Sequence, residues 1–410
     1  MNAILIKNIT LANNSCCDVL IKDGKFAKIA DEIKFPADKT IDGKDKAIVP
    51  AFYNAHSHTP MSLLRSFCEG KSLQDWLTAI WKKEATLTEQ DIYNGTRLAI
   101  LEMIKSGSVF FNDMYWHHSS VIRAVKEMGV RANIGITFMD SLPAETIEEN
   151  FEFIENFDRT ANPLIDISLS PHAIYTCSVA LYQRCYQVAH QHGINIHTHL
   201  AETQKEVEDC LREHQLSPVQ YLNAVGVLDN RTIAAHCVHL TPQDADILAE
   251  KGVTAVHNPC SNMKLASGIF PYQMLKSAGV HIALGTDGNA SNNSLSMLGE
   301  MKIASLLAKV TSGNPQALPA DEVFEWATVN SASAFGLLAG CIREGYLADC
   351  LLINLNNVSL VPNHNLIASL VYSADSECID SVICNGKILM ENRFIEREEE
   401  IITAARRFCL

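Results

Sequence analysis

Along the middle of the chain, short apolar runs alternate with amphipathic segments of helical length. Eight runs read as strands: Ala47–Ala55, Ser108–Met114, Ala132–Phe138, Leu164–Ser170, Asn195–His199, Thr232–Cys237, Val253–His257 and His281–Gly285. Between most of them apolar residues recur at helical spacing, as in Glu89–Lys105, Ser119–Met128, Val179–His192, Pro242–Lys251 and Pro271–Ala278. Eight such units predict an α/β fold in which a parallel sheet closes into a (β/α)₈ TIM-type barrel, with its chemistry at the C-terminal ends of the strands. A doubly wound open sheet is the alternative. It would ordinarily carry a Gly-rich phosphate loop after its first strand, and the sequence has none there.

The two ends of the chain have a different pattern, short β-branched runs broken by turn residues. Val19-Leu-Ile-Lys-Asp-Gly-Lys-Phe contains a hairpin signal at Asp23-Gly24, and Ser381-Val-Ile-Cys-Asn-Gly-Lys-Ile-Leu contains another at Asn385-Gly386. Residues 1–50 and 343–410 are therefore expected to share one small β domain beside a barrel spanning 51–342.

Composition narrows the classes further. A chain of 410 residues with 47% hydrophobic and 20% charged residues has the makeup of a soluble globular protein with a large core. Its formal net charge of −14 argues against phosphate backbones and anionic membrane surfaces as partners. The 13 cysteines are odd in number and form no Cys-x-x-Cys pair, so they read as reduced core residues. The opening residues Met1-Asn-Ala-Ile-Leu-Ile-Lys lack the basic and apolar regions of a signal peptide, and no stretch approaches 18 apolar residues. A cytoplasmic location is expected.

The residues able to bind a metal cluster at strand ends. Asn54-Ala-His56-Ser-His58 places two imidazoles on one side of an extended backbone. Strand five ends in His197-Thr-His199-Leu-Ala-Glu202; His199 lies nearer the terminus, and His197 reads as a buried, hydrogen-bonded barrel residue. Strand six ends at His236. Strand eight ends at Asp287, a buried acid that needs a partner. Singly, Asp287 reads as a helix cap, His236 as a core histidine and Glu202 as a helix-start acid; five such coincidences at strand ends favour a shared site. Nitrogen and oxygen donors of this kind hold Zn²⁺ or Fe²⁺ with a position left for water. That water is the expected nucleophile, with Glu202 as proton shuttle, Asp287 accepting the water proton and His236 orienting the water. Strand four ends Ser170-Pro-His172-Ala without a lysine to bridge two metals, so one ion is expected.

The blocks Val49-Pro-Ala-Phe-Tyr-Asn-Ala-His-Ser-His-Thr-Pro-Met, Asn112-Asp-Met-Tyr-Trp, Ser170-Pro-His-Ala, His199-Leu-Ala-Glu-Thr, Ala235-His-Cys-Val-His-Leu, His257-Asn-Pro-Cys-Ser-Asn-Met-Lys-Leu-Ala-Ser-Gly and Gly285-Thr-Asp-Gly-Asn-Ala-Ser-Asn-Asn run through the whole barrel in order. Together they resemble the amidohydrolase superfamily, and within it the branch of chlorohydrolases and aminohydrolases that includes 5′-methylthioadenosine/S-adenosylhomocysteine deaminases. The resemblance implies a composite β-sandwich built from both ends. It also implies one divalent metal, zinc by preference, on His56, His58, His199 and Asp287, with His236 beside the hydrolytic water and Glu202 as shuttle. Glu84 is similar to a ribose-contacting glutamate, His172 to a pocket-lining histidine, and Trp76 to an aromatic that packs on the nucleoside. Ordinary helix packing for Trp76, and a solvated helix face for Glu84 beside Lys82 and Lys83, are the competing readings.

The activity implied by this resemblance is hydrolytic deamination of a 6-aminopurine nucleoside, with a homo-oligomer as the family habit. The segment after strand three lacks the arginines that would pair with a homocysteine carboxylate, so adenosine-like or methylthioadenosine-like ligands are favoured, unless Arg65 or a loop supplies the cation. The same water chemistry serves a guanine, pterin, cytosine or triazine ring. A barrel kept as a non-catalytic scaffold would have lost ligands, and none is missing from the sequence.

Overall fold

The computed structural model describes residues 3–409; positions 1, 2 and 410, at the outer ends of the expected β domain, lie outside them. The N-terminal strands are β1 (Ala3–Thr10), β2 (Cys16–Lys22), β3 (Lys25–Ala30), β4 (Lys39–Asp42) and β5 (Lys46–Pro50). Eight parallel strands come next: β6 (Phe52–Ser57), β7 (Ser108–Tyr115), β8 (Arg131–Phe138), β9 (Ile165–Pro171), β10 (Asn195–Leu200), β11 (Thr232–His236), β12 (Thr254–His257) and β13 (His281–Leu284). The last three are β14 (Cys350–Asn354), β15 (Ile379–Cys384) and β16 (Lys387–Met390).

The terminal strands form one largely antiparallel sheet in the order β16-β15-β14-β5-β1-β2-β3, with β4 on β1. Its join is β5 against β14, where Val49 faces Leu351. This sheet folds over a core of Ile6, Val19, Ile21, Phe26, Ile48 and Leu352, the alternate residues of its strands. Asp23-Gly24 and Asn385-Gly386 make their hairpins with positive φ, as two-residue turns require.

The run Ala47–Ala55 is not one strand. β5 belongs to the terminal sheet and β6 to the barrel. Between them the Ala51 N–H donates to the Asp349 carbonyl (3.1 Å) and the Phe52 N–H to the Gly107 carbonyl (2.9 Å), so the chain changes sheets within two residues. Apolar patterning cannot show such a transfer, because both halves are buried. The helix expected from Pro271 begins at Tyr272.

Barrel strands pair in sequence from β6 to β13. The seam between the first and last strands is closed without a regular ladder. Thr286 and Asp287 N–H groups both donate to the His56 carbonyl (3.2 and 3.0 Å), and the Asn54 side chain bonds Thr286 at backbone N (3.0 Å) and Oγ1 (2.7 Å). The turn that closes the barrel therefore also sets Asp287 beside His56. Inside, Ala55, Ile233, Val256 and Ala283 form a small cluster against which Phe335 packs. Ser72, Thr88, Ser178, Thr203, Ser217 and Thr241 cap the helices that follow them, with reciprocal capping boxes at Thr88/Asp91, Ser217/Gln220 and Thr241/Asp244. No helix among the described residues is long and apolar enough to cross a membrane.

Candidate active site

The strand ends bring His56 (β6), His58 just beyond it, His199 (β10) and Asp287 (after β13) to one point. Asp287 Oδ1 lies 3.3 Å from His56 Nε2 and 3.2 Å from His58 Nε2, while His58 Nε2 and His199 Nε2 are 3.4 Å apart. Ligand atoms of His56, His236 and Asp287 also fall within 4.8 Å of one another.

The outward-facing nitrogens explain this convergence. His58 Nδ1–H donates to the Met114 carbonyl (2.7 Å), His199 Nδ1–H to the His172 carbonyl (2.8 Å), and His56 Nδ1 pairs with His197 Nε2 (2.8 Å). His197 thus holds His56 of the cluster from behind. With Nδ1 engaged on the outer side, each ring turns its Nε2 inward. His56 Nε2 is buried without a hydrogen-bond partner. Burial holds His56 down to about 4 and His199 well below the ordinary value, so both rings stay neutral. Burial works against protonation of His58 too, but the Asp287 carboxylate holds it up, to about 9. A buried carboxylate among three converging imidazoles asks for one positive charge at their centre, met by a proton on His58 or by a cation, and the donor set is that of a metal site.

Backbone strain marks the same place. Ala201, His236 and Asp287 have φ of 51°, 74° and 61°, conformations that cost on the order of 1–3 kcal/mol each for non-glycine residues. Neighbours fix them. Ala201 N–H donates to Glu206 Oε1 (2.8 Å) and Glu202 N–H to Glu206 Oε2 (2.8 Å), and the Cys237 N–H reaches the Leu200 carbonyl (2.9 Å). The strained turns aim Glu202 and His236 over the donor cluster.

Glu202 Oε1 accepts from Ser267 Oγ (2.8 Å), and Glu202 Oε2 is 3.8 Å from His236 Nε2. His236 Nδ1–H donates to Asn262 Oδ1 (2.8 Å). Asp287 Oδ2 accepts from Ser261 Oγ (2.6 Å) and Ser291 Oγ (2.8 Å). Sequence pattern does not single out these hydroxyl and amide partners, or Glu206. For Ser261, Asn262 and Ser267 the one signal is a cluster of small polar residues after the seventh barrel strand.

A cleft of about 580 Å³ including its open mouth lies above the cluster. Its walls carry Glu84, His172 and Trp76 with Trp81, Tyr115 and Trp116. Glu84 is buried rather than solvated. Its Oε1 accepts from Tyr115 Oη (2.6 Å), and burial raises its pKa. Burial also holds His172 down to about 3, hence neutral. Trp76 is buried, with its Nε1 unpartnered. Arg65 does not reach the cleft; both its terminal nitrogens bind the Glu102 carboxylate and one also bonds the Asn293 carbonyl (2.5 Å). No lysine or arginine stands among the described residues lining the cleft.

A parallel eight-stranded barrel with buried histidine and carboxylate donors at the strand ends defines the class of barrel metallohydrolases. The profile of the Amidohydrolase family matches residues 47–389, and the chain belongs to that family. It is 40% identical over 399 residues to a 5′-deoxyadenosine deaminase of Methanosphaera stadtmanae, covering 95% of this chain and 94% of that protein. It is 44% identical to 5-methylthioadenosine/S-adenosylhomocysteine deaminase 1 of Archaeoglobus fulgidus, covering 89% and 87%. Among solved structures, an adenosine deaminase of Xanthomonas campestris with bound zinc superposes with a TM-score of 0.93 at 31% identity, over 99% of this chain and 97% of that one. The atrazine chlorohydrolase of Arthrobacter aurescens shares the fold, with a TM-score of 0.91 at 22% identity over 99% and 100% of the two chains.

Proposed function

We propose that the protein is a metal-dependent hydrolase that deaminates adenine nucleosides, releasing ammonia and an inosine-type product. The observation that carries this reading is the cluster of three inward imidazole nitrogens and Asp287, with Glu202 and His236 poised above it at the floor of the cleft. The three reported relatives that are 31–44% identical to this chain carry the names of deaminases of adenosine-type compounds, which supports the substrate class.

His56, His58, His199 and Asp287 would hold one divalent ion, zinc by analogy with the Xanthomonas structure, and its Lewis acidity would make a coordinated water acidic near neutral pH. In the hydrolysis, Asp287 takes a proton from the water and His236 orients it toward the amino-bearing carbon of the purine. Glu202 delivers a proton to the adjacent ring nitrogen, which lets that carbon accept the oxygen. Proton return to the amino group expels ammonia from the tetrahedral adduct. With its Nδ1–H tied to Asn262, His236 presents Nε2 as an acceptor for a hydrogen of the attacking water, which fixes the direction of that water.

Glu84 uses one oxygen for Tyr115 and has a second for a ribose hydroxyl, while Trp76 and Trp81 offer aromatic faces. The absence of a lysine or arginine from the described lining favours substrates with an uncharged 5′ substituent over S-adenosylhomocysteine, whose carboxylate would lack a counterion. Loss of the amino chromophore, monitored by ultraviolet absorbance, tests the reading on adenosine, 5′-deoxyadenosine, 5′-methylthioadenosine and S-adenosylhomocysteine. Turnover of the first three above the fourth is expected. Zinc-replete protein inert toward all four, but active on guanine, pterin, cytosine or triazine rings, would move it to another heterocycle.

A further inference from the structure

The partners of the working side chains share an origin. Asn262, which receives the His236 Nδ1–H, and Ser267, which donates to Glu202 Oε1, lie five residues apart on the segment after β12. The same segment contributes Ser261 to Asp287. Groups from three separate barrel strands are thus tied to one short stretch of chain.

That stretch is itself fixed. Asn262 N–H donates to the Asn258 carbonyl (3.0 Å), Ser267 N–H to the Asn262 carbonyl (2.8 Å), and His239 Nε2–H to the Ser267 carbonyl (2.5 Å). Ser267 sits between two residues of positive φ, Ala266 (52°) and Gly268 (139°). A Cβ at Gly268 would lie 2.7 Å from Val238 Cγ1, so the backbone passes close against the loop that carries His236. The Ser267 hydroxyl is therefore placed by backbone contacts on both sides, and it is buried.

We infer that Ser267 is the positioning residue for Glu202, holding its carboxylate in one rotamer and reserving Oε2 as the oxygen that carries the proton. A hydrogen bond from Ser267 engages Oε1 and disfavours protonation there, leaving the proton to Oε2 on the side of His236. Glu206 holds the Glu202 backbone N–H, so Ser267 supplies the remaining constraint at the far end of the side chain. The inference rests on the proposed deamination and concerns how it is made efficient.

The test is a double-mutant cycle read by steady-state kinetics with 5′-methylthioadenosine as probe, using full-length zinc-loaded protein. Ser267→Ala should lower kcat about 10–100-fold with KM within about threefold, because misorientation of the acid acts on the chemical step. Ser267→Thr, which keeps the hydroxyl, should recover kcat to within about fivefold. In the Glu202→Gln background, Ser267→Ala should change kcat by less than about twofold, since the group it positions is already disabled. Equal fractional losses with and without the Glu202 carboxylate would overturn the inference, as would a Ser267→Ala enzyme of unchanged kcat. If the alanine variant fails to fold, Ser267→Cys, which keeps the volume and weakens the donor, takes its place with the same expected ordering. A wild-type enzyme inert on every 6-aminopurine nucleoside would remove the deaminase reading and this inference together; an active wild type with an indifferent Ser267 would remove only the inference.

Discussion

The barrel and the terminal sheet are pinned by a buried ion pair, and replacing Arg131 by Met tests how much that pin stabilises the fold. Arg131 starts β8 at the end of the barrel opposite the histidine cluster. Its Nε donates to Asp349 Oδ2 (2.7 Å), and one terminal nitrogen reaches Asn385 Oδ1 (3.0 Å). Asp349 also accepts from Tyr53 Oη (2.5 Å) and from the Asn385 N–H (2.7 Å). The side chains of the pair are 4% and 0% exposed, so solvent does not replace a lost partner. Burial disfavours the charged guanidinium, yet Asp349 holds its pKa above the ordinary value. Removing Arg131 leaves a buried carboxylate with two neutral donors and no cation, which costs about 3–5 kcal/mol. At about 2.1 cal/mol/K per residue, unfolding a chain of 410 residues carries about 0.9 kcal/mol/K, so Tm should fall by about 3–6 °C in a calorimetric scan. Adding Asp349→Asn removes the orphaned charge while keeping an acceptor, and should restore at least about 2 °C. Deamination below the transition should be unchanged, because the pair lies far from the strand ends that carry the donors. An Arg131→Met protein within about 1 °C of wild type, or a double variant less stable than the single one, would refute this account of the joint.

Four further outcomes are expected from the site. Glu202→Gln should keep its metal content, measured by elemental analysis, yet lose about 10²–10⁴-fold in kcat; a fully active variant would mean the shuttle is elsewhere. Asp287→Ala should lose both metal and activity, and chelation of the wild-type protein should abolish turnover that added zinc restores. Glu84→Gln should raise KM for nucleosides more than it lowers kcat, and an unchanged KM would remove Glu84 from substrate binding. Burial holds Glu206 up, to about 7, against the two amide donors that pull it down. Between about 4.5 and 7 the folded protein therefore keeps a proton that the unfolded chain has released, and this group's contribution to stability falls as pH rises through that window. The thermal advantage of wild type over Glu206→Gln should accordingly shrink from pH 5 to pH 8, and a gap independent of pH would contradict the assignment.

Much of this architecture is written locally. Period-two and period-3.6 patterns, Ser and Thr caps and Asn-Gly or Asp-Gly turns are short-range signals, so the barrel strands, helices such as Glu89–Lys105 and Val179–His192, and both hairpins are legible within a few residues of error. His56, His58, His199 and Asp287 stand out for a similar reason: polar groups at the ends of apolar strands have no cheap place to go unless they meet one another. What no local pattern contains is the meeting itself. The transfer of the chain from β5 to β6 depends on Asp349 and Gly107, far away in sequence, as does the capture of Arg65 by Glu102 that keeps it out of the cleft. The same holds for Ser267 and Asn262, ordinary residues of a loop until barrel closure sets them under Glu202 and His236. Sequence determined which residues had to be buried and which donors needed a common partner. Only the closed barrel decided which hydroxyl, amide or carboxylate each would face, because those contacts join residues tens to hundreds of positions apart and their geometry exists only once the strands are in register.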